Sequence, residues 1–137
     1  MYLLDTNVIS ELRQGKAQQS PQVRAWAARQ PASQLFLSAI TLLELEKGVL
    51  VLERKTPPQG SALRAWLTGV RASFAGRILP FTENAAVLCA AMHVPDPKSE
   101  RDALIAATSL EHSMTVATRN VRDFEGTGVV LVNPFEA

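Results

Sequence analysis

The chain has 137 residues and 14.9 kDa, 47% of them hydrophobic and 20% charged, which fits one globular domain over residues 1 to 137 and excludes wholesale disorder. A formal net charge of +1 excludes the bulk basicity of a general nucleic-acid binder, and a single cysteine, Cys89, excludes an internal disulfide framework or a cysteine-rich zinc site. A soluble protein of the reducing cytoplasm is expected, since the N-terminus lacks a basic leader followed by an apolar core and no apolar stretch approaches membrane length.

The first element is the run Tyr2-Leu3-Leu4, short and continuously apolar as in a strand buried on both faces, and it stops at Asp5. After Pro21, PQVRAWAARQ has helical spacing; LFL at 35 to 37 is a second strand, and AITLLELEKGVLVLERK at 39 to 55 a long helix. GSALRAWLTGVRASF places Leu63, Trp66, Leu67, Val70 and Phe74 on one stripe, read as core for most of its length and as a partner face, with Val23 and Trp26, for part. RILPF at 77 to 81 is a weaker strand because Pro80 cannot donate to a ladder. Two further helical segments, TENAAVLCAAMHV and SERDALIAATSLEHS, precede the strands TVAT at 115 to 118 and VVLV at 129 to 132. RQGKAQQSP, KTPPQG, VPDPKS and EGTG read as loops. Strands alternating with helices predict an α/β fold around a mostly parallel sheet of four to five strands.

In such a sheet the carboxyl ends of the strands share one edge, and ligands bind there. Asp5, Glu44, Asp102 and Asp123 all map to it. Each has an ordinary explanation as a helix cap: Thr41-Leu-Leu-Glu44 and Ser99-Glu-Arg-Asp102 match the capping pattern, Asn120-Val-Arg-Asp123 nearly does, and Asp5 precedes a helix. Four carboxylates in one concavity, however, raise one another's pKa unless a cation lies among them. Hard divalent ions such as Mg²⁺ or Mn²⁺ take oxygen ligands and leave room for phosphates, so a metal site accounts for the set. Thr6, Asn7 and Thr118 are placed to orient the acids, although Thr and Asn are also common where strands turn into helices. His93, His112 and Cys89 lack the spacing of a metal or catalytic set.

LLDTNVISE at 3 to 11, LSAITLLELEKG at 37 to 48 and RDALIAATSLEHSMTVATRNVRDFEGTGVVLVNPFE at 101 to 136, in that order, resemble the PIN-domain ribonucleases, and among them the VapC-like toxins of type II toxin–antitoxin pairs in the FitB- and StbB-like branch. Residues 50 to 98 carry little of the likeness. The resemblance implies a three-layer α/β/α sandwich, Mg²⁺- or Mn²⁺-dependent cleavage of RNA, a homodimer with higher assembly in the toxin–antitoxin complex, and neutralisation by a small DNA-binding antitoxin. It assigns the acidic, metal-holding site to Asp5, Glu44, Asp102 and Asp123, with Thr6, Asn7 and Thr118 in support. Glu46 rivals Glu44, and Asp96 is a decoy near Asp102; Glu44, one turn below Gly48, is favoured on helical geometry. Arg101, Arg119 and Arg122 are candidates for RNA-phosphate contacts, with pairing to the neighbouring acids as the alternative. Without the four site acids, 14 cationic side chains face nine acidic ones. Two other readings stand beside this one: a catalytically inactive PIN-like binding module, and a haloacid-dehalogenase-like phosphatase, against which Asn7 stands where a second aspartate is needed.

Overall fold

A computed structural model describes residues 1–16 and 18–137. Five strands, β1 (Tyr2–Leu4), β2 (Leu35–Ser38), β3 (Ile78–Leu79), β4 (Thr115–Ala117) and β5 (Val130–Val132), form one sheet in the order β3-β2-β1-β4-β5, and every pairing is parallel. Tyr2 lies opposite Leu35 on one side and Thr115 on the other, so β1 is central. RILPF contributes only Ile78 and Leu79, at the sheet's edge, where Pro80 ends the pairing at no cost to a neighbour.

Alternate side chains of each strand enter different cores, as the two-residue strand period requires. Leu4, Leu35, Leu37 and Ala117 join Val23, Trp26, Val49, Leu67 and Phe74 on one face, whereas Leu3 and Val116 join Ala85, Cys89, Ile105, Ala106 and Phe124 on the other. The first face is covered by α1 (Thr6–Glu11), α2 (Pro21–Ala28), α3 (Ala39–Lys55) and α4 (Pro57–Ser73), and the second by α5 (Glu83–Met92) and α6 (Glu100–Glu111). The expected α/β sandwich is therefore present, with all five strands parallel. Among the described residues no helix is long and apolar enough to cross a membrane.

The structure corrects several local expectations. KTPPQG is not a loop: Thr56 alone separates α3 from α4, and Pro57 and Pro58 occupy the first helical positions, where no N–H is needed. The two helices fold back on each other, Gly60 against Glu53 and Arg64 paired with both Glu46 and Glu53. The α3 cap is Ser38, whose hydroxyl accepts from the Thr41 N–H, so Thr41 and Glu44 form no capping box. Ser99 and Asn120 stand at helix starts without a side-chain capping bond. Val23 and Trp26 are buried core, with Trp26 edge-on to Tyr2 at 4.9 Å, and offer no groove. In the α4 stripe Leu67, Val70 and Phe74 are buried, while Leu63 and Trp66 pack partly exposed.

Candidate active site

Because β2, β1 and β4 are adjacent, the turns after them bring α3, α1 and Thr118 to one edge. Helix α6, which leads into β4, starts at the same edge with Asp102 in its first turn. Asp5 is the fixed point. Its backbone N–H donates to Ala117 at 2.9 Å, its carbonyl accepts from Val8 and Ile9, and its side chain is fully buried. A buried carboxylate needs donors, and it has them. Asp5 Oδ1 accepts from the Thr6 N–H at 2.7 Å and from Arg101 at 2.6 Å, and Oδ2 accepts from Thr118 Oγ1 at 2.8 Å and Asn7 Nδ2 at 3.4 Å. Asp5 thus both caps α1 and faces the site.

The supporting residues form a continuous bonded frame. Asn7 Oδ1 accepts from the Arg119 N–H at 3.1 Å, and Thr118 Oγ1 accepts from the Asn120 N–H at 3.0 Å, so the loop after β4 is tied to the Asp5 turn. Thr6 Oγ1 donates to Glu44 Oε1 at 2.7 Å, linking α1 to α3. Glu46 points to a different partner, Arg64.

At the centre of the acids lies Arg101. Its guanidinium donates to Asp5 Oδ1 at 2.6 Å, to Glu44 Oε2 at 2.6 Å and to Asp102 Oδ1 at 2.7 Å, and reaches Thr6 Oγ1 at 3.2 Å. Partial burial works against its charge, but these three carboxylates hold its pKa well above the ordinary arginine value. Burial likewise opposes the Glu44 charge, and the bonds from Arg101 and Thr6 outweigh it, leaving that carboxyl below its usual range. As described, Arg101 is spent on the acids and is not a free phosphate contact.

Asp123 stands apart. It is exposed, in a depression with Arg119, Asn120, Arg122, Asn133 and Glu136, and among the described residues it shares no hydrogen bond or ion pair with the other three acids. It lies on the short helical turn Val121–Phe124 after β4, with its side chain in solvent. Arg119 lies over the Phe135 ring at 4.0 Å, and Arg122 is exposed.

Three carboxylates converging on one cation are the donor set of a hard metal ion. Among the described residues, though, no three His, Cys, Asp or Glu side chains are gathered tightly enough for a metal. The three acids are instead held by a planar guanidinium, each through a separate nitrogen. The chemistry of the donor set fits a divalent cation, and the cation it holds here is Arg101.

Comparison with known proteins bears on this geometry. The chain is 39% identical over 145 residues to the VapC ribonuclease Y4jK of Sinorhizobium fredii, with 99% of each chain covered. It is 39% identical over 142 residues to toxin FitB of Neisseria gonorrhoeae, covering 98% of this chain and 99% of that protein. The crystal structure of FitAcB from Neisseria gonorrhoeae superposes over the full length of both chains, with a TM-score of 0.91 and 38% identity. The sequence model of the PIN domain matches residues 2–129, from the first strand past the loop that carries Asp123. That span takes in the first four of the five parallel strands and every residue of the acidic edge, and the chain belongs to the PIN-domain family.

Proposed function

We propose that this chain is a Mg²⁺- or Mn²⁺-dependent endoribonuclease of the cytoplasm, a toxin that hydrolyses RNA phosphodiester bonds and is neutralised by a cognate small DNA-binding antitoxin. The observation that carries the reading is the convergence of Asp5, Glu44 and Asp102 on one cation at the carboxyl edge of a parallel sheet. Relatives named as a ribonuclease and a toxin, at 39% identity over almost the full chain, support it.

Asp5, Glu44 and Asp102 would hold the ion, with Asp123 outside that set. A divalent ion there supplies stabilisation of charge on the phosphoryl oxygens and activation of water for in-line attack. Thr118, Asn7 and the Thr6 N–H fix the Asp5 carboxylate in place, so that its oxygens do not have to reorganise. Thr6 does the same for Glu44. Arg119 and Arg122, exposed beside the site, supply phosphate contacts that overall charge does not announce. Between α1, α3 and α4 runs a depression of about 300 Å³ in which Arg13 and Lys16 stand with Leu63, Trp66 and Glu44. Its apolar floor and basic rim suit an antitoxin segment, and a homodimer is part of the same reading.

Cleavage of total RNA with Mg²⁺ or Mn²⁺, comparing the native chain, Asp5→Ala and an EDTA control, tests the assignment. Metal-dependent cuts at defined sites, lost in the variant, are expected; undiminished cutting by Asp5→Ala would sink it. The filled acid cluster favours the second reading, an inactive PIN-like binding module, and that reading predicts metal-independent RNA or protein binding with no cutting.

A further inference from the structure

We infer that Arg101 is a resident counter-cation of the acidic site, in direct competition with the divalent ion, so that it sets the metal affinity of the chain. The inference rests on the metal-site reading above and goes beyond it. Asp5, Glu44 and Asp102 each give an oxygen to Arg101 at 2.6 to 2.7 Å. The oxygens facing the guanidinium are the ones a metal needs, so the two cations exclude each other. Without Arg101, three acids would crowd this edge, one of them fully buried, with Lys47, which among the described residues forms no ion pair with them, acting only on Glu44 from a distance. With it, they are held converged and neutralised before any metal arrives.

The surroundings allow the exchange. The Arg101 side chain is 33% exposed, unlike that of Asp5 at 0%, so it sits on the solvent side of the cluster. Beside it, between α3 and α6, lies an open depression of about 280 Å³ lined by Ile40, Leu43, Lys47, Glu100 and Leu104. That depression would give a displaced Arg101 room, with Glu100 on its lining to take the guanidinium and Lys47 opposing it, and Asp5, Glu44 and Asp102 would then be free to hold the ion. Asp5 does not have to move its frame, because Thr6, Thr118 and Asn7 hold it from the other side. The apparent metal affinity is the intrinsic one reduced by the fraction of chains with Arg101 out, so an open fraction of about a tenth weakens binding about tenfold.

Titration calorimetry with Mn²⁺ on the metal-free chain is the test, without reference to catalysis. The variants are Arg101→Ala, Arg101→Lys, Arg122→Ala as a control for loss of a nearby charge, and Asp5→Asn as a control for the site. Circular dichroism confirms folding; Arg101→Lys, which keeps a charge but cannot bridge three acids, carries the comparison if Arg101→Ala does not fold. Expected are binding lost in Asp5→Asn, binding about tenfold tighter in Arg101→Ala, an intermediate value in Arg101→Lys and a change within about twofold in Arg122→Ala. Millimolar guanidinium chloride, against NaCl of equal ionic strength, should weaken Mn²⁺ binding in Arg101→Ala by refilling the vacated place. Binding that depends on Asp5 yet is unchanged or weaker in both Arg101 variants overturns the competition and leaves the metal site standing. Binding that is absent, or indifferent to Asp5→Asn, overturns the metal site and the competition together.

Discussion

Asp5 accepts four donors with its two oxygens and is fully buried, so water cannot replace a bond that it loses. Thr118→Val keeps the volume but deletes the hydroxyl that donates to Asp5 Oδ2 and accepts from the Asn120 N–H. Losing an orienting bond of this kind typically costs about 10- to 100-fold in activity or metal affinity, and the expected result is a fall of that size in RNA cleavage with a folded protein by circular dichroism. Glu44 and Glu46 are two residues apart on α3 and face different partners, Arg101 and Arg64. Glu44→Gln should therefore abolish most cleavage, whereas Glu46→Gln, which weakens one partly exposed ion pair, should leave the rate within about twofold. Equal losses in the two variants would assign the wrong glutamate to the site.

The α3–α4 hairpin is built around Gly60. A Cβ at that position would lie 2.4 Å from the Glu53 Cα and 2.5 Å from its backbone nitrogen, a contact that side-chain motion cannot relieve. Gly60→Ala raises helix propensity, yet the helices would have to separate, so a net loss of about 1–3 kcal/mol is expected in urea unfolding. A gain in stability would show that the hairpin is not packed this closely. On the other side of α1, buried Glu11 accepts from Lys16 and from the Ser20 N–H, tying the start of α2 to the end of α1. Trp26 anchors α2 to β1 through Tyr2. Trp26→Ala should cost about 3–5 kcal/mol, read by the same denaturation, because it empties a large volume from the core.

The intact chain should unfold at acid pH for reasons visible in two carboxyls. The Lys16 pair and the Ser20 N–H hold the Glu11 carboxyl below its usual range despite burial, and Glu44 is shifted the same way. Carboxyls lowered in the folded state stabilise it above their unfolded value of about 4.3, and that stability is lost as pH falls through the folded value. The melting temperature of the metal-free protein is thus expected to stay level from pH 7 to 5 and to drop below about pH 4, with a lower plateau and a shallower drop in Glu11→Gln; no change in plateau would separate Glu11 from stability. From local order alone the chain specifies most of its strands and helices, since YLL, LFL, TVAT and VVLV are short apolar or β-branched runs and the helices carry their period of three and four. The parallel arrangement follows from the alternation of those elements, and with it the edge on which the acids fall. Local order misleads at KTPPQG, because two prolines read as a break can equally begin a helix. The pairing of Arg101 with neighbouring Asp102 was an alternative that sequence offered, but its pairing with Asp5 and Glu44 was beyond local order. Arg101 and Asp5 are 96 residues apart, and which of ten arginines fills the space among three carboxylates depends on the docking of α6 beside β1 and α3, a packing property that no residue spacing encodes.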